Sequence, residues 1–444
     1  MATPVQLKRQ LGLRTATALV VGEVIAVGIF LTPAGMAKSL GSPFWLLVVW
    51  IVMGAMAACG ALCYGELAAR YPEAGGGYVY LREAYGRPLA FLYGWMALLV
   101  MDPGLSAALA VGLASYVSYS FGLSTLAIKL TAIGAIVFLA IINVLGVRLG
   151  GGVLRWLTFL KLGLLLFLIL WALIFRLGDW SNFTPFVSQR AGSMPLLAAL
   201  AGGMVAAFFS FGGWWDVTKL AGEIREPERT LPKALIYGVG IVTLVYVLTS
   251  AVFIYLVPLE SVGSGETFAA QAGEVLFGKA GAQVFSAIVI IAILGSLAAM
   301  IMSGPRVYFA MARDGLFFPA AAALHPRFGT PARAIALQAV LASILVAAGS
   351  FNQIIGYFIF VVVIFVALTV AGLFLLRRKS SSHPGYSTPG YPITPILFLL
   401  LVGLLLFFLG SSNLTQSMLG VGVVALGVPV YYFFFHREHA RSER

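Results

Sequence analysis

Long apolar stretches alternate with short polar segments along almost the whole chain of 444 residues. Each stretch has about the 20 residues that a helix needs to cross the hydrocarbon core of a membrane. The stretches lack the short in–out alternation of barrel strands, and only helices and closed barrels satisfy their backbone polar groups in lipid. The pattern therefore predicts an all-α integral membrane protein. We expect twelve transmembrane helices, at residues 13–40, 44–70, 87–121, 126–146, 152–175, 194–222, 231–257, 283–313, 332–348, 353–376, 395–410 and 419–435.

The composition agrees with a membrane protein, since 61% of the residues are apolar and only 10% are charged. A soluble protein carries about 25% charged residues to cover its surface. The first apolar stretch is longer than the core of a signal peptide, so we expect it to remain in the protein as a helix. The sequence shows no targeting extension, which favours a plasma or inner membrane of bacterial type.

The 28 basic residues fall almost entirely on one side of the membrane when the N-terminus is placed in the cytoplasm. Lysine and arginine collect in cytoplasmic loops, so this asymmetry sets the orientation. It predicts that both termini, residues 1–10 and 436–444, are cytoplasmic. The net charge of +12 then requires no nucleic-acid partner. The exceptions are Lys38, Lys129, Arg176, Arg190 and Lys279 outside, and Lys161 within a helix.

Two of the predicted helices, the first and the sixth, contain glycine-rich breaks. The first break reads GEVIAVGIF at 22–30, followed by Pro33, and the sixth helix reads FFSFGGWWD at 208–216. Glycine weakens a helix by about 1 kcal/mol relative to alanine, and neighbouring glycines let the backbone unwind. Glycine also permits close helix packing, but interrupted helices at matching places in two halves are typical of a transporter's binding site. We therefore predict a substrate site where the two breaks meet.

Four groups of motifs, in the same order along nearly the whole chain, carry a resemblance to a known family. They are GIF at 28–30 with Pro33; YPEAGGGYVY at 71–80 with Tyr85-Gly86; FGGW at 211–214 with GEIREP at 222–227 and Leu231-Pro232; and SGPR at 303–306 with ARDG at 312–315, His325-Pro326 and Thr330-Pro331. Each motif alone is weak, and the ordered set is specific. With it, the chain resembles the amino acid–polyamine–organocation (APC) superfamily, and most of all its L-type amino acid transporter branch.

The resemblance implies a LeuT-like inverted five-plus-five repeat with two additional C-terminal helices. The first repeat would cover residues 11–176, the second 193–377, and helices 11 and 12 residues 394–435. The implied function is sodium-independent secondary active transport of amino acids, by preference neutral L-amino acids. The protein would act as a permease or exchanger with alternating access.

In such a fold the unwound parts of helices 1 and 6 bind an α-amino acid. Amides around Val27 and Gly28 receive its carboxylate, and carbonyls of both helices receive its ammonium. Phe209 stands where relatives place an aromatic lid. Relatives have Gly-Ser-Gly or Gly-Thr-Gly where this chain has Ala26-Val27-Gly28, so a hydroxyl is missing and the identity of the substrate stays open. The substrate-binding candidates are Ile25, Ala26, Val27, Gly28, Phe209, Ser210, Phe211, Gly212, Gly213 and Trp214.

Three charged residues inside predicted helices are further candidates, because a charge in the membrane is costly unless it is paired or functional. Lys161 lies deep in helix 5, and the resemblance implies that its ammonium stands where sodium-coupled relatives hold an ion. Glu23 lies one turn before Val27 on the same helix face, and Asp102 interrupts helix 3. The two acids either balance Lys161, couple transport to protons or bind a second amine of the substrate. Lower on helix 6, we expect gate ion pairs that face the cytoplasmic vestibule at Asp216, Lys219 and Glu223.

Other chemistry finds less support in the sequence. Cys59 and Cys63 lie one turn apart on the second helix, and the outer loops contain no cysteine, so we expect no disulfide-linked ancillary subunit. The glycine loop at 75–77 lacks the Gly-Lys-Ser/Thr of a nucleotide site and is either a gating loop or a plain turn. We predict no metal, cofactor or catalytic residue. The alternatives are an antiporter of polyamines, other amines or cationic amino acids, favoured by Glu23 and Asp102, and, with less support, a membrane-embedded enzyme or sensor.

Overall fold

The computed structural model describes residues 7–26, 28–261, 268–349, 359–379, 385–412 and 414–435. Regular structure in this part of the chain is helical, apart from one parallel bridge between Leu11 and Ile224. The α-helices are α1 (Leu13–Val24), α2 (Gly28–Leu40), α3 (Pro43–Arg70), α4 (Gly77–Tyr85), α5 (Arg87–Met96), α6 (Asp102–Phe121), α7 (Thr125–Val144), α8 (Val147–Ile174), α9 (Leu196–Phe211), α10 (Pro227–Leu256), α11 (Phe268–Phe277), α12 (Gly281–Ser303), α13 (Pro305–Arg313), α14 (Ala332–Ala348), α15 (Ile359–Lys379), α16 (Ile393–Ser412), α17 (Leu414–Ala425) and α18 (Gly427–Val430).

The prediction of an all-helical, multi-pass membrane protein is confirmed. Within the described ranges, ten helical segments are long and apolar enough to cross a membrane, and the pair α1 and α2, bent by 43°, makes an eleventh. Helix α14 is apolar but has only 17 residues. The predicted span 353–376 is seen from residue 359 onward as α15, and its first six residues lie outside the described part of the chain.

The helices sort into a central group and a peripheral group by how much of their apolar surface is covered. The α5–α6 segment is 78% buried and the α12–α13 segment 72% buried, whereas α7 is 22% buried and the segment from α17 onward 17% buried. Large apolar side chains on the peripheral helices face outward, for example Trp156 on α8 and Phe407 on α16, which are 73% and 69% exposed. Such faces are suited to lipid tails, so the polar groups at the centre of the bundle are shielded from lipid.

Four of the membrane segments are interrupted, and the interruptions meet at the centre. The chain breaks between α1 and α2, as the glycine pattern predicted. After α9 it turns through Gly213, which has a φ of +102°, and continues as the 3₁₀ helix Asp216–Glu223. A π-helical turn at Ala97–Met101 joins α5 to α6, and Gly304 joins α12 to α13. The π turn was not predicted; such turns are frequent at functional sites.

The two predicted breaks are held against each other by close backbone contact. A Cβ atom placed on Gly28, at the start of α2, would lie 2.7 Å from the Cα atom of Ser210 on α9, so only glycine fits there. On α10, the Tyr246 hydroxyl lies 2.9 Å from the carbonyl oxygen of Val24 and 2.7 Å from that of Ser210. Helix α10 therefore holds the ends of α1 and α9 together through hydrogen bonds. The backbone groups that lack a partner within their own helix at the two breaks lie near one another as a result.

Candidate functional site

A cavity lies where the two broken helices meet, with an empty volume of about 810 Å³ that includes its open mouth. The walls combine exposed backbone at both breaks with apolar side chains and two carboxylates. The lining residues are Glu23, Val24, Ala26, Gly28, Met101, Leu105, Ala108, Leu109, Phe208, Phe209, Ser210, Gly212, Gly213, Trp215, Asp216, Met300, Ile359 and Val362.

Most of the residues predicted for the substrate site line this cavity. Ala26, Gly28, Phe209, Ser210, Gly212 and Gly213 do so, while Val27 lies outside the described residues. Phe209 is half-buried at the cavity wall, and Phe208 beside it stacks on Trp215 with ring centroids 6.5 Å apart. The cavity therefore contains the break residues that the glycine pattern singled out, together with an aromatic wall.

Three of the predicted residues do not line the cavity, and their part in substrate binding stays a prediction. Phe211 packs between Trp50 and Tyr246 on the far side of α9. Trp214 packs edge-on against Tyr64, with ring centroids 5.1 Å apart. Ile25 is fully buried. Successive residues at a helix end point to different sides, so a residue next to a cavity residue in the sequence need not line the cavity.

The apolar wall contributed by other helices was missed. Met101, Leu105, Ala108 and Leu109 come from the π turn and α6, Met300 from α12, and Ile359 and Val362 from α15. These are ordinary apolar residues within apolar stretches of the sequence, so no sequence signal marked them. Their presence makes most of the cavity surface suited to an uncharged, apolar or small side chain.

The adjacent glycines of helix 6 have different roles. Gly213 has a φ of +102°, and a Cβ atom there would lie 2.9 Å from the Cγ atom of Glu23. Gly212 has a φ of −55° and a ψ of 145°, which any residue can adopt. The atom nearest to a Cβ placed there would be the carbonyl oxygen of Phe209, at 3.4 Å. The break therefore depends on Gly213 for its backbone conformation, and both glycines line the cavity.

Lys161 is completely buried on α8, and its ammonium is surrounded by oxygen atoms. Its Nζ donates to the carbonyl oxygens of Gly22 at 2.9 Å and Ile25 at 2.6 Å, at the end of α1. It also donates to the carbonyl oxygen of Ala292 at 3.0 Å and lies 3.3 Å from the Ser296 hydroxyl, both on α12. A single cation thus ties the unwound end of α1 to two other helices, as a bound metal ion with carbonyl ligands does.

The interpretation that Glu23 and Asp102 balance the charge of Lys161 is wrong. Asp102 is fully buried and pairs with Lys219, with Oδ1 2.8 Å from Nζ, and it accepts a hydrogen bond from the Tyr308 hydroxyl. Lys219 is also 2.9 Å from Asp216 Oδ1. The sequence did not indicate Lys219 as the partner of Asp102, because Lys219 was expected to face an open vestibule. In the structure the 3₁₀ helix directs the Lys219 side chain into the bundle.

Glu23 lies beside this network and is 5% exposed. Its Oε1 accepts a hydrogen bond of 3.2 Å from Ser303 on α12. Its Oε2 is buried without a hydrogen-bond donor among the described residues. The Glu23 and Asp216 carboxyl groups lie within hydrogen-bonding reach of each other at the cavity wall. We call Glu23, Asp102, Asp216 and Lys219 the buried acid cluster.

One end of the cavity is closed by the 3₁₀ helix and its partners. Glu223 and Arg306 form a fully buried, bidentate ion pair with contacts of 2.9–3.1 Å, joining the 3₁₀ helix to α13. The backbone amides of Gln10 and Leu11 donate to the Glu223 carbonyl oxygen at 2.8 and 2.9 Å. Asp216, Lys219 and Glu223 are therefore ion-paired, but they are buried in this structure and do not face an open vestibule. Their role as gates stays a prediction.

The glycine loop at 75–77 packs directly on this closure. The Gly75 amide donates to the Lys219 carbonyl oxygen at 3.0 Å. Gly75 and Gly76 have φ values of +121° and +54°, and a Cβ atom on Gly76 would lie 2.6 Å from Thr218 Oγ1. Of the two interpretations, a gating loop and a plain turn, this contact favours the gating loop.

A central cavity between broken membrane helices, closed at one end by buried ion pairs, is the architecture of a secondary transporter. A family profile described as amino acid permease matches residues 11–429. The chain belongs to this amino acid permease family of the APC superfamily, which confirms the resemblance given by its motifs. It is a membrane transporter of amino acids and not an enzyme.

Relatives of known activity are similar to the chain over nearly its whole length. The serine/threonine exchanger SteT of Bacillus subtilis (strain 168) is 33% identical over 433 residues, which cover 96% of this chain and 97% of the relative. The large neutral amino acids transporter small subunit 2 of Rattus norvegicus is 28% identical over 440 residues, 98% of this chain and 82% of the relative. The cystine/glutamate transporter of Homo sapiens is 29% identical over 441 residues, 97% of this chain and 86% of the relative.

Proposed function

We propose that the protein is a sodium-independent permease or exchanger of neutral L-amino acids that works by alternating access. The observation that carries this proposal is the cavity at the junction of the two helix breaks, which combines exposed backbone with an apolar wall. We further propose twelve transmembrane helices, arranged as two inverted five-helix repeats at residues 11–176 and 193–377 followed by two helices at 394–435.

The backbone at the breaks is suited to the two charges of an amino acid. Gly28 is the first residue of α2. The unpaired backbone amides at this N-terminus, together with the positive end of the helix dipole, favour a carboxylate. The last carbonyl groups of α1 and α9 are nearby and favour an ammonium. The side chain of the bound amino acid then contacts Leu105, Leu109 and Val362. An apolar wall accommodates an uncharged side chain without loss of hydrogen bonds.

Sodium independence is supported by the position of Lys161. Its ammonium occupies a pocket of backbone oxygens from Gly22, Ile25 and Ala292. Oxygen ligands of this kind also bind alkali cations. A protein that supplies the cation itself has no requirement for sodium at this place.

Alternating access is supported by the polar closure at one end. We propose that this end is cytoplasmic, in agreement with cytoplasmic termini, and that it opens when the 3₁₀ helix Asp216–Glu223 moves away from α13 and the glycine loop. Both cysteines of this chain, Cys59 and Cys63, are unbonded and lie on α3, so we propose transport without a disulfide-linked ancillary subunit.

Uptake into liposomes containing the purified protein tests the proposed function. A panel of labelled neutral L-amino acids, with and without internal substrate, distinguishes exchange from net uptake. Accumulation that depends on the protein is expected for at least one neutral amino acid and is expected to persist when sodium is replaced by choline. Absence of uptake for every amino acid in the panel would contradict the proposal.

We predict that a neutral amino acid binds better than the amine obtained by removing its carboxylate. The amides near Gly28 would lose their anionic partner, and an unpaired buried donor costs about 1–3 kcal/mol. Because 1.4 kcal/mol is a factor of ten, leucine should compete at least about tenfold more strongly than isoamylamine. Competition against the best labelled substrate measures this ratio.

A carrier of amines or cationic amino acids is the second candidate, because Glu23 and Asp216 bring two carboxylates to the cavity wall. In that case isoamylamine or a dication should compete more strongly than leucine. Asp102→Asn should then weaken binding of the dication more than binding of any neutral amino acid. The same competition experiment therefore separates the two functions.

A further inference from the structure

We propose that Glu23 and Asp216 form a proton-binding site at the cavity wall, sharing one proton that crosses the membrane together with the substrate. This inference rests on the proposed function and adds the coupling ion to it. The family relationship alone gives no assignment to either carboxylate.

The first argument is the charge of the buried acid cluster. Three carboxylates, from Glu23, Asp102 and Asp216, share one ammonium, from Lys219, and all four side chains are 5% exposed or less. With every acid ionised, two negative charges would remain unbalanced away from water. A buried charge without a partner is strongly unfavourable, so the cluster favours uptake of a proton, which leaves one excess negative charge in place of two.

The second argument is the arrangement of the three carboxylates. Asp102 is satisfied by Lys219 and by the Tyr308 hydroxyl. Glu23 has only the Ser303 hydroxyl on Oε1, and its Oε2 lacks a donor among the described residues. Asp216 is the group within hydrogen-bonding reach of it. Two neighbouring buried carboxylates repel each other, and a proton shared between them would supply the missing donor.

A proton fits this place better than a larger cation. The space next to Glu23 is limited by Gly213, where even a Cβ atom would lie 2.9 Å from Glu23 Cγ. An ammonium or a metal ion would have to separate Glu23 from Asp216. No group of three or more acidic, histidine or cysteine side chains suited to a metal ion occurs among the described residues.

The position of the pair also gives the proton a route. Glu23 and Asp216 line the cavity, so the proton enters from the water that enters with the substrate. Asp216 belongs to the 3₁₀ helix and is held by Lys219. When that helix moves in alternating access, Asp216 separates from Glu23, and the proton is released to water on the other side. No bond other than an O–H bond forms or breaks.

Several other charged and titratable groups face the pair. They belong to the 3₁₀ helix, α3, the α5–α6 segment and α13. These groups are Lys219, Tyr64, Tyr93, Asp102 and Tyr308. Lys161 on α8 contacts the carbonyl groups of α1 and does not face the pair.

Simultaneous measurement of proton and amino acid movement tests the inference. The full-length protein is placed in liposomes that contain pyranine, with valinomycin and equal potassium on both sides to hold the membrane potential at zero. The probe is the neutral amino acid that the uptake panel shows to be carried best. In the unaltered protein, protons should enter with the amino acid in a constant ratio, and an inward proton gradient should increase accumulation.

Glu23→Gln should lower the ratio of protons to amino acid by at least about tenfold, because an amide does not titrate. Glu23→Asp, which keeps a carboxyl group, should restore part of the ratio. Glu228→Gln is the matched control, since Glu228 is an acid at the start of α10; its ratio should equal that of the unaltered protein. If Glu23→Gln does not insert or fold, the unaltered protein still tests the proton coupling, and Glu23→Asp tests the assignment, since its ratio should lie below that of the unaltered protein.

The possible results separate this inference from the proposed function. Amino acid movement without any proton movement overturns the inference and leaves the proposed function standing. An unchanged proton ratio in Glu23→Gln overturns the assignment to this pair. If lysine or ornithine is carried and Glu23→Gln removes only that activity, without proton movement, the pair binds an ammonium and the inference is wrong. If no amino acid is carried at all, the proposed function fails and the inference falls with it.

Discussion

We expect Lys161→Ala to reduce amino acid transport by at least about 100-fold, because hydrogen bonds to a charged group contribute about 1.5–3 kcal/mol each and this ammonium makes several. The substitution removes the donor for the carbonyl oxygens of Gly22 and Ile25 and leaves a cavity in their place. The end of α1 then has no fixed position, and α1 forms one side of the site. Initial rates of uptake in liposomes measure the effect.

Lys129→Ala provides the matched control for this prediction. Lys129 also donates to a backbone carbonyl, that of Ala347, but it does so on a peripheral helix at an exposed position. Transport by this variant should stay within about twofold of the unaltered protein, since exposed polar contacts contribute little. Size-exclusion profiles and unfolding temperatures check that both variants are folded. Sodium-stimulated uptake by the unaltered protein, or normal uptake by Lys161→Ala, would contradict the proposed role of Lys161.

The course of the helices was largely predictable because the membrane imposes a simple rule on the sequence. A helix must be apolar for about 20 residues, so the bounds of most spans follow from hydropathy. The predicted start at 44 and end at 70, for example, differ from the helix Pro43–Arg70 by one residue at one end. The π turn at Ala97–Met101 was not predictable, since its residues are as apolar as their neighbours.

The site was predictable only where the backbone departs from the helix. Glycines marked both breaks, and Lys161 stood out as a charge within a span. The partner of Asp102 could not be found, because Lys219 lies 117 residues away and reaches it only through the turn after α9. Met101 and Val362 were missed for the opposite reason, since an apolar residue facing a cavity looks the same in sequence as one facing lipid.

The two adjacent glycines after α9 differ in a way that the sequence does not show. In the sequence, Gly212 and Gly213 are adjacent and look equivalent. The structure separates them, because only Gly213 has a positive φ and only its Cβ would press on Glu23. Sequence indicates that the helix breaks here, and the backbone angles decide which residue permits the break.

The largest effect of a single methyl group is expected at Gly28, which lies at the start of α2 and on the cavity wall. In Gly28→Ala the new Cβ would lie 2.7 Å from the Cα and 2.8 Å from the Cβ of Ser210. A backbone atom cannot rotate away, so α2 and α9 must move apart, and overpacking of this kind costs about 1–3 kcal/mol. Because the displaced amides are the proposed carboxylate site, we expect substrate affinity to fall by about tenfold or more.

Gly35→Ala, on the same helix, is the control that makes the result specific. A Cβ atom on Gly35 has nothing within 4 Å, and alanine favours a helix over glycine by about 1 kcal/mol. This variant should therefore bind substrate normally and unfold at an equal or higher temperature. Both substitutions add the same group to α2, so a difference in affinity between them reports the contact with Ser210 and not the stability of the helix. Equal affinities, measured by isothermal titration or by the concentration dependence of uptake, would mean that the substrate does not bind where α2 and α9 meet.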